Sequence, residues 1–341
     1  MNRNLRWGII GIGRFGRVHA RVLQSLPGSE LVAASNRNLE RLAEAAAEFG
    51  IDDARAFTDY HELLADPDID AVSITTHWLD HHEVALAALA AGKHVLLEKP
   101  MAATSGQCRE ILTAAQSASG KLMVGHVCRF DPRVTVAKEA IDAERLGRIV
   151  SMHAKRNLPK APGNIRLDKI SPLMGDGIHD ADLMMWFLGR APDSIYARNV
   201  RYSGHRYPDL GWAMLHFGSG ENETLGVVET AWCLPETVPT VIDATFEVIG
   251  TEGKLTIDCG HTGLSITDST GIRQPDTVYW PEQHGQVVGA LRREIAYFAD
   301  CVREGIDPTV ITPTEAARAL AVVEAAEVSA EKREAVAFSF P

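Results

Sequence analysis

Three stretches of the chain hold residue types whose spacing suits chemistry. Residues 5–23 read LRWGIIGIGRFGRVHARVL and set Gly11, Gly13 and Gly16 at G-x-G-x-x-G spacing, between an apolar run and a helical stretch. Such glycines allow a sharp turn, a close approach of pyrophosphate to the backbone, and tight helix–strand packing, while the phosphates meet N–H groups at the helix start. Arg14 and Phe15 lie inside the same turn and count with the glycines as cofactor contacts. Residues 91–104, AGKHVLLEKPMAAT, close an apolar run with Glu98-Lys99-Pro100. An amine beside the positive charge of an oxidised nicotinamide favours its neutral form and can exchange a proton with a substrate hydroxyl. Residues 171–189, SPLMGDGIHDADLMMWFLG, crowd Asp176, His179, Asp180 and Asp182 at the start of a helix with a core-like remainder. Acids there complement the helix dipole, and His179 facing a cleft is an acid/base or substrate-bonding candidate.

These stretches need elements to position them. Up to about residue 125, apolar runs at 7–10, 31–35, 71–75, 94–97 and 121–124 alternate with Ala-, Leu- and Glu-rich stretches of helical period. Strand–helix alternation of this kind predicts right-handed βαβ units and a doubly wound parallel sheet, a Rossmann domain over 1–125. Ligands then lie at the carboxyl edge of the strands, where the glycine turn and Lys99 both fall. Asp80 with Glu83, and Thr104 with Gln107, have the spacing of helix capping boxes. From 126 to 341 the texture changes to strand-like runs such as GWAMLHF and DATFEVIGTEGKLTID, with helices at 134–143 and 179–188. This predicts an α+β domain on a large, mainly antiparallel open sheet for substrate binding and oligomerisation. Thr312, Pro313 and Glu315 open a long helix over about 313–335.

Composition narrows the function. With 34 Lys and Arg against 45 Asp and Glu, the formal net charge is −11, which argues against nucleic acid or an anionic membrane as partner. No stretch reaches the ~18 apolar residues of a membrane helix, and no secretory signal is evident at the start. The five cysteines, Cys108, Cys128, Cys233, Cys259 and Cys301, are odd in number and scattered, so reduced thiols in a cytoplasmic protein are expected.

The end of the second strand bears on which dinucleotide binds. An acid there bonds the adenosine 2′-hydroxyl and repels a 2′-phosphate. This chain has Ser35, Asn36 and Arg37 instead, which leans towards NADP, with Asn36 on the NAD ribose and Arg37 on adenine as the other reading. Thr75, Trp78, His81 and Glu98 complete the expected cofactor set. His77 and His81 are four apart, yet there is no H-E-x-x-H order and no evident third ligand, so no metal is expected. Lys155, Arg156 and Asn157 end a strand at a plausible edge of the substrate cleft, where Arg156 with Arg166 could take a carboxylate or phosphate.

Taken with the glycine fingerprint, AGKHVLLEKP, VGHVCRFDP (124–132), GIHDADLMMWFLG and ALAVVEAAEVS (319–329) give a chain that resembles the Gfo/Idh/MocA family over nearly its whole length. The resemblance implies NAD(P)-linked oxidation or reduction of a secondary alcohol or ketone on a sugar, polyol or derivative. It also implies an open sheet that mediates homodimers or homotetramers. By resemblance Lys99 and His179 line the reaction centre, Asp182 matches a helix aspartate of the family, and Trp78 or His81 lies near the nicotinamide. Many family dehydrogenases carry an aspartate four residues before the histidine. Here that place is Gly175, leaving Asp176 to supply the carboxylate or His179 to work without it. Lys99, His179 and Asp176 are thus the catalytic candidates, and Lys99, Arg156, Asn157, Asp176 and His179 the substrate contacts. Two other functions fit the same features: a hydrolase that oxidises its sugar transiently with NAD, and a silent dinucleotide-binding sensor.

Overall fold

The computed structural model describes residues 3–340. The chain begins with β1 (Leu5–Ile10), α1 (Arg14–Ser25), β2 (Ser29–Ser35), α2 (Leu39–Phe49), β3 (Ala56–Phe57) and α3 (Tyr60–Ala65). It continues with β4 (Ala71–Ile74), α4 (His81–Ala90), β5 (His94–Glu98), α5 (Ser105–Ser117) and β6 (Leu122–Gly125). Then come α6 (Pro132–Asp142), β7 (Ile149–Asn157), α7 (Lys160–Leu167), α8 (Ile178–Leu188), β8 (Ser194–Val200), β9 (Leu210–Phe217), β10 (Thr224–Ala231), β11 (Asp243–Gly250) and β12 (Lys254–Asp258). Two short hairpins, β13 (Ile266–Asp268) with β14 (Gly271–Arg273) and β15 (Glu282–Gln283) with β16 (Gln286–Val287), precede α9 (Ala290–Glu304), α10 (Pro313–Lys332) and β17 (Val336–Ala337).

Two compact units divide these elements: residues 1–130 with 278–317, and residues 131–277 with 318–341. The first unit thus takes in α9, a segment distant in sequence. Its sheet has the order β3-β2-β1-β4-β5-β6, and every pair is parallel. Both faces are covered, so the strands read as continuous apolar runs rather than alternating ones: Trp7, Ile9, Val72, Ile74, Val95 and Leu97 are all fully buried. The two-residue edge strand β3 was not expected, because it is too short to leave a periodic signal.

The second unit holds a seven-stranded sheet, β12-β11-β7-β10-β9-β8-β17. Its pairs are antiparallel except β7 with β10. Here the strands alternate. Ile195, Ala213, Leu215, Val228, Phe246 and Val248 turn to the buried face, while Tyr196, Trp212, Met214 and Leu225 turn outward.

Helix ends follow their signals in two of three cases. Glu315 N–H donates to Thr312 Oγ1 (3.2 Å) and Thr312 N–H to Glu315 Oε2 (2.8 Å), the expected box at the head of α10. Thr104 Oγ1 accepts from Gln107 N–H at 3.2 Å, although Gln107 returns its Oε1 to Ala103 N–H rather than to Thr104. The Asp80–Glu83 box does not form. Asp80 makes no cap hydrogen bond, its carboxylate accepting instead from Arg37 Nη2 at 2.7 Å, while Glu83 accepts from Tyr60 Oη at 3.1 Å. Charged partners on neighbouring elements compete successfully with the local backbone N–H groups.

Candidate active site

In the first unit the glycine turn joins β1 to α1 and has the shape its sequence demands. Gly11 sits at φ +93°, and a Cβ there would meet Thr76 N at 2.7 Å. A Cβ on Gly16 would lie 2.6 Å from Gly11 O and 2.8 Å from Thr75 Oγ1, so only glycine lets α1 seat this close. A Cβ on Gly13 would meet nothing nearer than Gly11 O at 3.9 Å, so the turn is open on its outer side. No side chain caps α1, which leaves its first-turn N–H groups for an anion. At the end of β4, Thr76 Oγ1 and Trp78 Nε1 are buried without a hydrogen-bond partner among the described residues. An open glycine turn, an uncapped helix start and unsatisfied polar atoms at the carboxyl edge of a parallel sheet fit a dinucleotide.

The other expected cofactor residues divide into those facing this edge and those bracing it. Arg14 is exposed, and Phe15 is half-buried, packing edge-on against His19 and Trp280 at 4.9 and 5.3 Å between ring centroids. Thr75 Oγ1 donates to Gly11 O at 3.0 Å, tying the glycine turn to β4. Asn36 Oδ1 accepts from Asn38 N–H at 2.9 Å. His81 corrects an expectation. It is buried, with Nδ1 2.7 Å from Pro100 O and Nε2 3.3 Å from Thr76 O, so it braces the Lys99–Pro100 turn against the β4 turn rather than presenting its ring to a ligand. Burial pushes the His81 imidazole below its usual pKa, keeping it neutral, with its Nδ1–H donated to the carbonyl. His77 Nδ1 accepts from Leu79 N–H at 3.4 Å and His82 faces Glu110 at 2.8 Å, so the histidines of this stretch serve separate partners. Among the described residues, no group of three or more His, Cys, Asp or Glu is placed to hold a metal.

Lys99 follows β5 and is half-buried, and the Lys99–Pro100 peptide is cis. Glu98 turns inward. Its Oε2 accepts the Lys99 main-chain N–H at 3.2 Å, and its Oε1 lies 3.3 Å from His19 Nε2 without hydrogen-bond alignment. His19 Nδ1 in turn meets Ser73 Oγ at 2.9 Å. Glu294 on α9 approaches the same place: a Cβ on Gly125 would lie 2.8 Å from Glu98 Oε1 and 3.6 Å from Glu294 Oε1. Glu294 is fully buried with neither oxygen hydrogen-bonded among the described residues. Burial, reinforced by the Glu98 charge, pushes its carboxyl well above the usual range. Glu98 is therefore a brace for the Lys99 main chain. Glu294 gave no sequence signal, because the helix that carries it was not expected and an acid in such a stretch has no mark of burial.

In the second unit, residues 173–177 form a π-helical turn that runs directly into α8. Asp176 and His179 are both buried there, as are Asp180 and Asp182. The glycine at 175 has a physical cause: a Cβ there would lie 2.6 Å from Trp232 Cη2 and 2.7 Å from Cζ2. Trp232, itself buried, occupies the space that an aspartate at 175 would need. Its Nε1 donates to Asp176 Oδ2 at 2.8 Å, and Arg166 stands 3.5 Å from the same oxygen and over the indole at 5.5 Å. Trp232, in ETAWCLP, gave no sequence signal.

Arg156 and Asn157 depart from expectation. Arg156 is buried and bonds Asp180 through Nε and Nη2, with Nη2 at 2.8 Å from Oδ1. Burial pushes the Asp180 carboxyl up and the guanidinium opposes that shift. Asn157 is buried too, donating to Glu229 Oε1 at 3.0 Å and accepting from Ala231 N–H at 2.8 Å. A buried ion must find a counter-ion, so the pair fastens β7 to α8 rather than standing open to a substrate anion. Lys155 is bonded to Asp243 at 2.9 Å.

The fold and the glycine turn define a protein class, the Rossmann-type dinucleotide-binding oxidoreductases. The sequence profile of that class named GFO_IDH_MocA, an oxidoreductase family with an NAD-binding Rossmann fold, matches residues 5–126, and the profile of the GFO/IDH/MocA C-terminal domain matches 134–256. The chain is 30% identical over 325 residues to scyllo-inositol 2-dehydrogenase (NAD(+)) of Bacillus subtilis, covering 91% of this chain and 90% of that one. It is 36% identical over 206 residues to inositol 2-dehydrogenase 2 of Saccharopolyspora erythraea, covering 60% of this chain and only 59% of that enzyme. The structure of scyllo-inositol dehydrogenase from Lactobacillus casei with bound NAD(H) and scyllo-inositol superposes with a TM-score of 0.84, at 24% identity, over 98% of this chain and 99% of that one. The chain belongs to the Gfo/Idh/MocA family of oxidoreductases.

Proposed function

We propose that this protein is an NAD-dependent dehydrogenase of a polyol or cyclitol, oxidising a secondary hydroxyl to a ketone or running the reverse. The observation that carries the reading is the open glycine turn at the edge of a sheet whose fifth strand ends in Glu98-Lys99-Pro100. The kinship with inositol 2-dehydrogenases supports the substrate class. We assign dinucleotide binding to the first unit, and substrate binding and self-association to the second.

The nicotinamide ring, when bound, supplies the hydride acceptor for oxidation and the donor for reduction. The protein's own part is to move the hydroxyl proton. Lys99 Nζ takes that proton and stabilises negative charge developing on the oxygen. Glu98 holds the Lys99 main chain, and His81 holds Pro100 O, so the lysine's direction is set from both sides of its peptide. His179 is the second acid/base candidate, on a helix start braced by Asp176 and its Trp232 bond. We read NAD rather than NADP as the cofactor. The lean towards NADP rested on Ser35, Asn36 and Arg37 in place of an acid; the NAD reading is supported by the Arg37–Asp80 bond and by similar structures solved with NAD(H) or NAD.

Self-association through the outer face of the second unit's sheet is part of the reading. Tyr196, Met214, Val227, His153 and Glu247 form one row across five strands, beside a second row of Arg198, Trp212, Glu229, Lys155 and Thr245. Trp212 and Met214 are 43% and 44% exposed, and a face mixing large apolar groups with both charge signs suits a second copy of itself. A cytoplasmic setting is supported by five free cysteines, four of them buried. Among the described residues no helix is long and apolar enough to cross a membrane.

A panel of polyols, inositols and sugars with NAD+ and NADP+, followed by nicotinamide absorbance, tests the activity. Growth of NADH with a polyol supports the reading. Cleavage of a glycoside with no net NADH would instead mark a hydrolase, and binding without turnover a sensor. Lys99→Met is expected to lower turnover by roughly 10²–10⁴-fold while dinucleotide affinity, measured by calorimetry, stays within a few-fold.

A further inference from the structure

The end of β2 lacks the acid by which a Rossmann site commonly rejects a 2′-phosphate: Ser35, Asn36 and Arg37 stand there instead. Taken alone, an arginine at that point invites the phosphate. The fold answers with a residue from elsewhere. Sheet order places β1 between β2 and β4, so the turns after β2 and β4 flank the glycine turn on its two sides. Arg37, from the β2 turn, reaches across to Asp80, at the head of α4 after β4, with Nη2 2.7 Å from Oδ2. Arg37 is 84% exposed and Asp80 35% exposed, so neither is buried in the core and both remain accessible to a ligand or to solvent. Asp80 is the residue whose spacing suits a helix cap, yet it makes no cap hydrogen bond. Its carboxylate serves Arg37 instead. Asn36 is similarly committed through Oδ1 to Asn38 N–H, which leaves its amide hydrogens as donors.

We infer that Asp80 is the residue that selects NAD over NADP in this chain, by holding Arg37 away from a 2′-phosphate and adding a negative charge beside the place that phosphate must enter. The inference rests on the dinucleotide reading above and deepens it. A 2′-phosphate brings about two negative charges. To bond Arg37 it must displace a carboxylate already in contact and then remain close to it. A ribose hydroxyl meets neither obstacle, because it is neutral and can bond the Asn36 amide. Asp80 thus does through charge and through Arg37 what an acid at the end of β2 does by direct contact. An exposed ion pair adds little to fold stability, so its effect is expected in ligand choice.

The test is calorimetric titration of NAD+ and NADP+ into the wild type, Asp80→Asn, and the double variant Asp80→Asn with Arg37→Gln, at low and high salt. The wild type is expected to bind NAD+ the more tightly. Asp80→Asn frees Arg37 and removes the repulsion, so NADP+ affinity should rise by about tenfold or more at low salt, as a charge-assisted contact to phosphate allows, while NAD+ affinity moves by less than about threefold. In the double variant the gain should fall well below that of the single variant, to the part owed to the lost repulsion alone, and raising the salt should shrink the gain in both. A wild type that prefers NADP+, an unchanged NAD+/NADP+ ratio in Asp80→Asn, or a gain undiminished by loss of Arg37 would each overturn the inference while leaving a dinucleotide site in place. Binding of neither nucleotide by folded wild type would overturn the dinucleotide reading itself and this inference with it.

Discussion

The residue that best shows how a single side chain reorganises a site is Trp232. Its indole fills the volume over residue 175, leaves room only for glycine there, and gives its Nε1–H to Asp176. The carboxylate that the family commonly carries four residues before the histidine therefore cannot stand in that place here. Gly175→Asp would have to push the ring out of a cluster with Leu158 and Leu167. Overpacking of this kind costs about 1–3 kcal/mol, and burying a charge beside Asp176 adds to it. Urea denaturation should show a lower midpoint for Gly175→Asp, and a midpoint equal to wild type would mean that the ring moves freely. The sequence announced the departure at 175 but held no hint of its cause, since Trp232 is distant along the chain and meets the turn only in the folded unit.

At the scale of elements, α9 shows what pattern reading misses. No helix was expected over 290–304, although Leu291, Ile295, Phe298 and Val302 recur there at four- and three-residue steps. What no pattern reveals is that Glu294 lies on the buried side, facing Glu98 beside Gly125. The consequence is a pH dependence of known sign. The native-state pKa of Glu294 is raised, so the folded protein keeps a proton that the unfolded chain has released. The stability owed to that proton is complete below the ordinary carboxylate range and declines as pH rises towards the native-state value. Glu294→Gln, which copies the neutral acid, should remove this decline, so that the variant gains on wild type in thermal melts as pH rises above the ordinary carboxylate range. Parallel curves for the two proteins would show that Glu294 is ionised in the fold. The same scale explains the cap at Asp80: local spacing was right for a capping box, yet Arg37 on another loop took the carboxylate.

For the whole molecule, the question is whether a second copy covers the outer face of the second sheet. GWAMLHF was expected as a strand of an open sheet, whereas β8 was not expected, and the folded sheet turns Trp212, Met214, Tyr196 and Leu225 to its outer face. If a second copy covers them, Trp212→Arg with Met214→Glu should convert the native assembly to monomers in sedimentation velocity while far-ultraviolet dichroism stays unchanged. A wild type that sediments as a monomer would refute the covered face directly.

Local sequence determined what depends on neighbours along the chain. The parallel alternation, the glycine turn that only a missing Cβ permits, the Thr312–Glu315 box and the Glu98-Lys99-Pro100 step all rest on short-range sterics and periodicity. Tertiary structure decided what depends on partners far apart in sequence. Arg156 is engaged by Asp180, Arg37 by Asp80, and His81 by Pro100 O, each because a buried or juxtaposed polar group must be satisfied by whatever the fold brings near. A side chain's type is written in the sequence, but whether its charge is still available is settled only by packing.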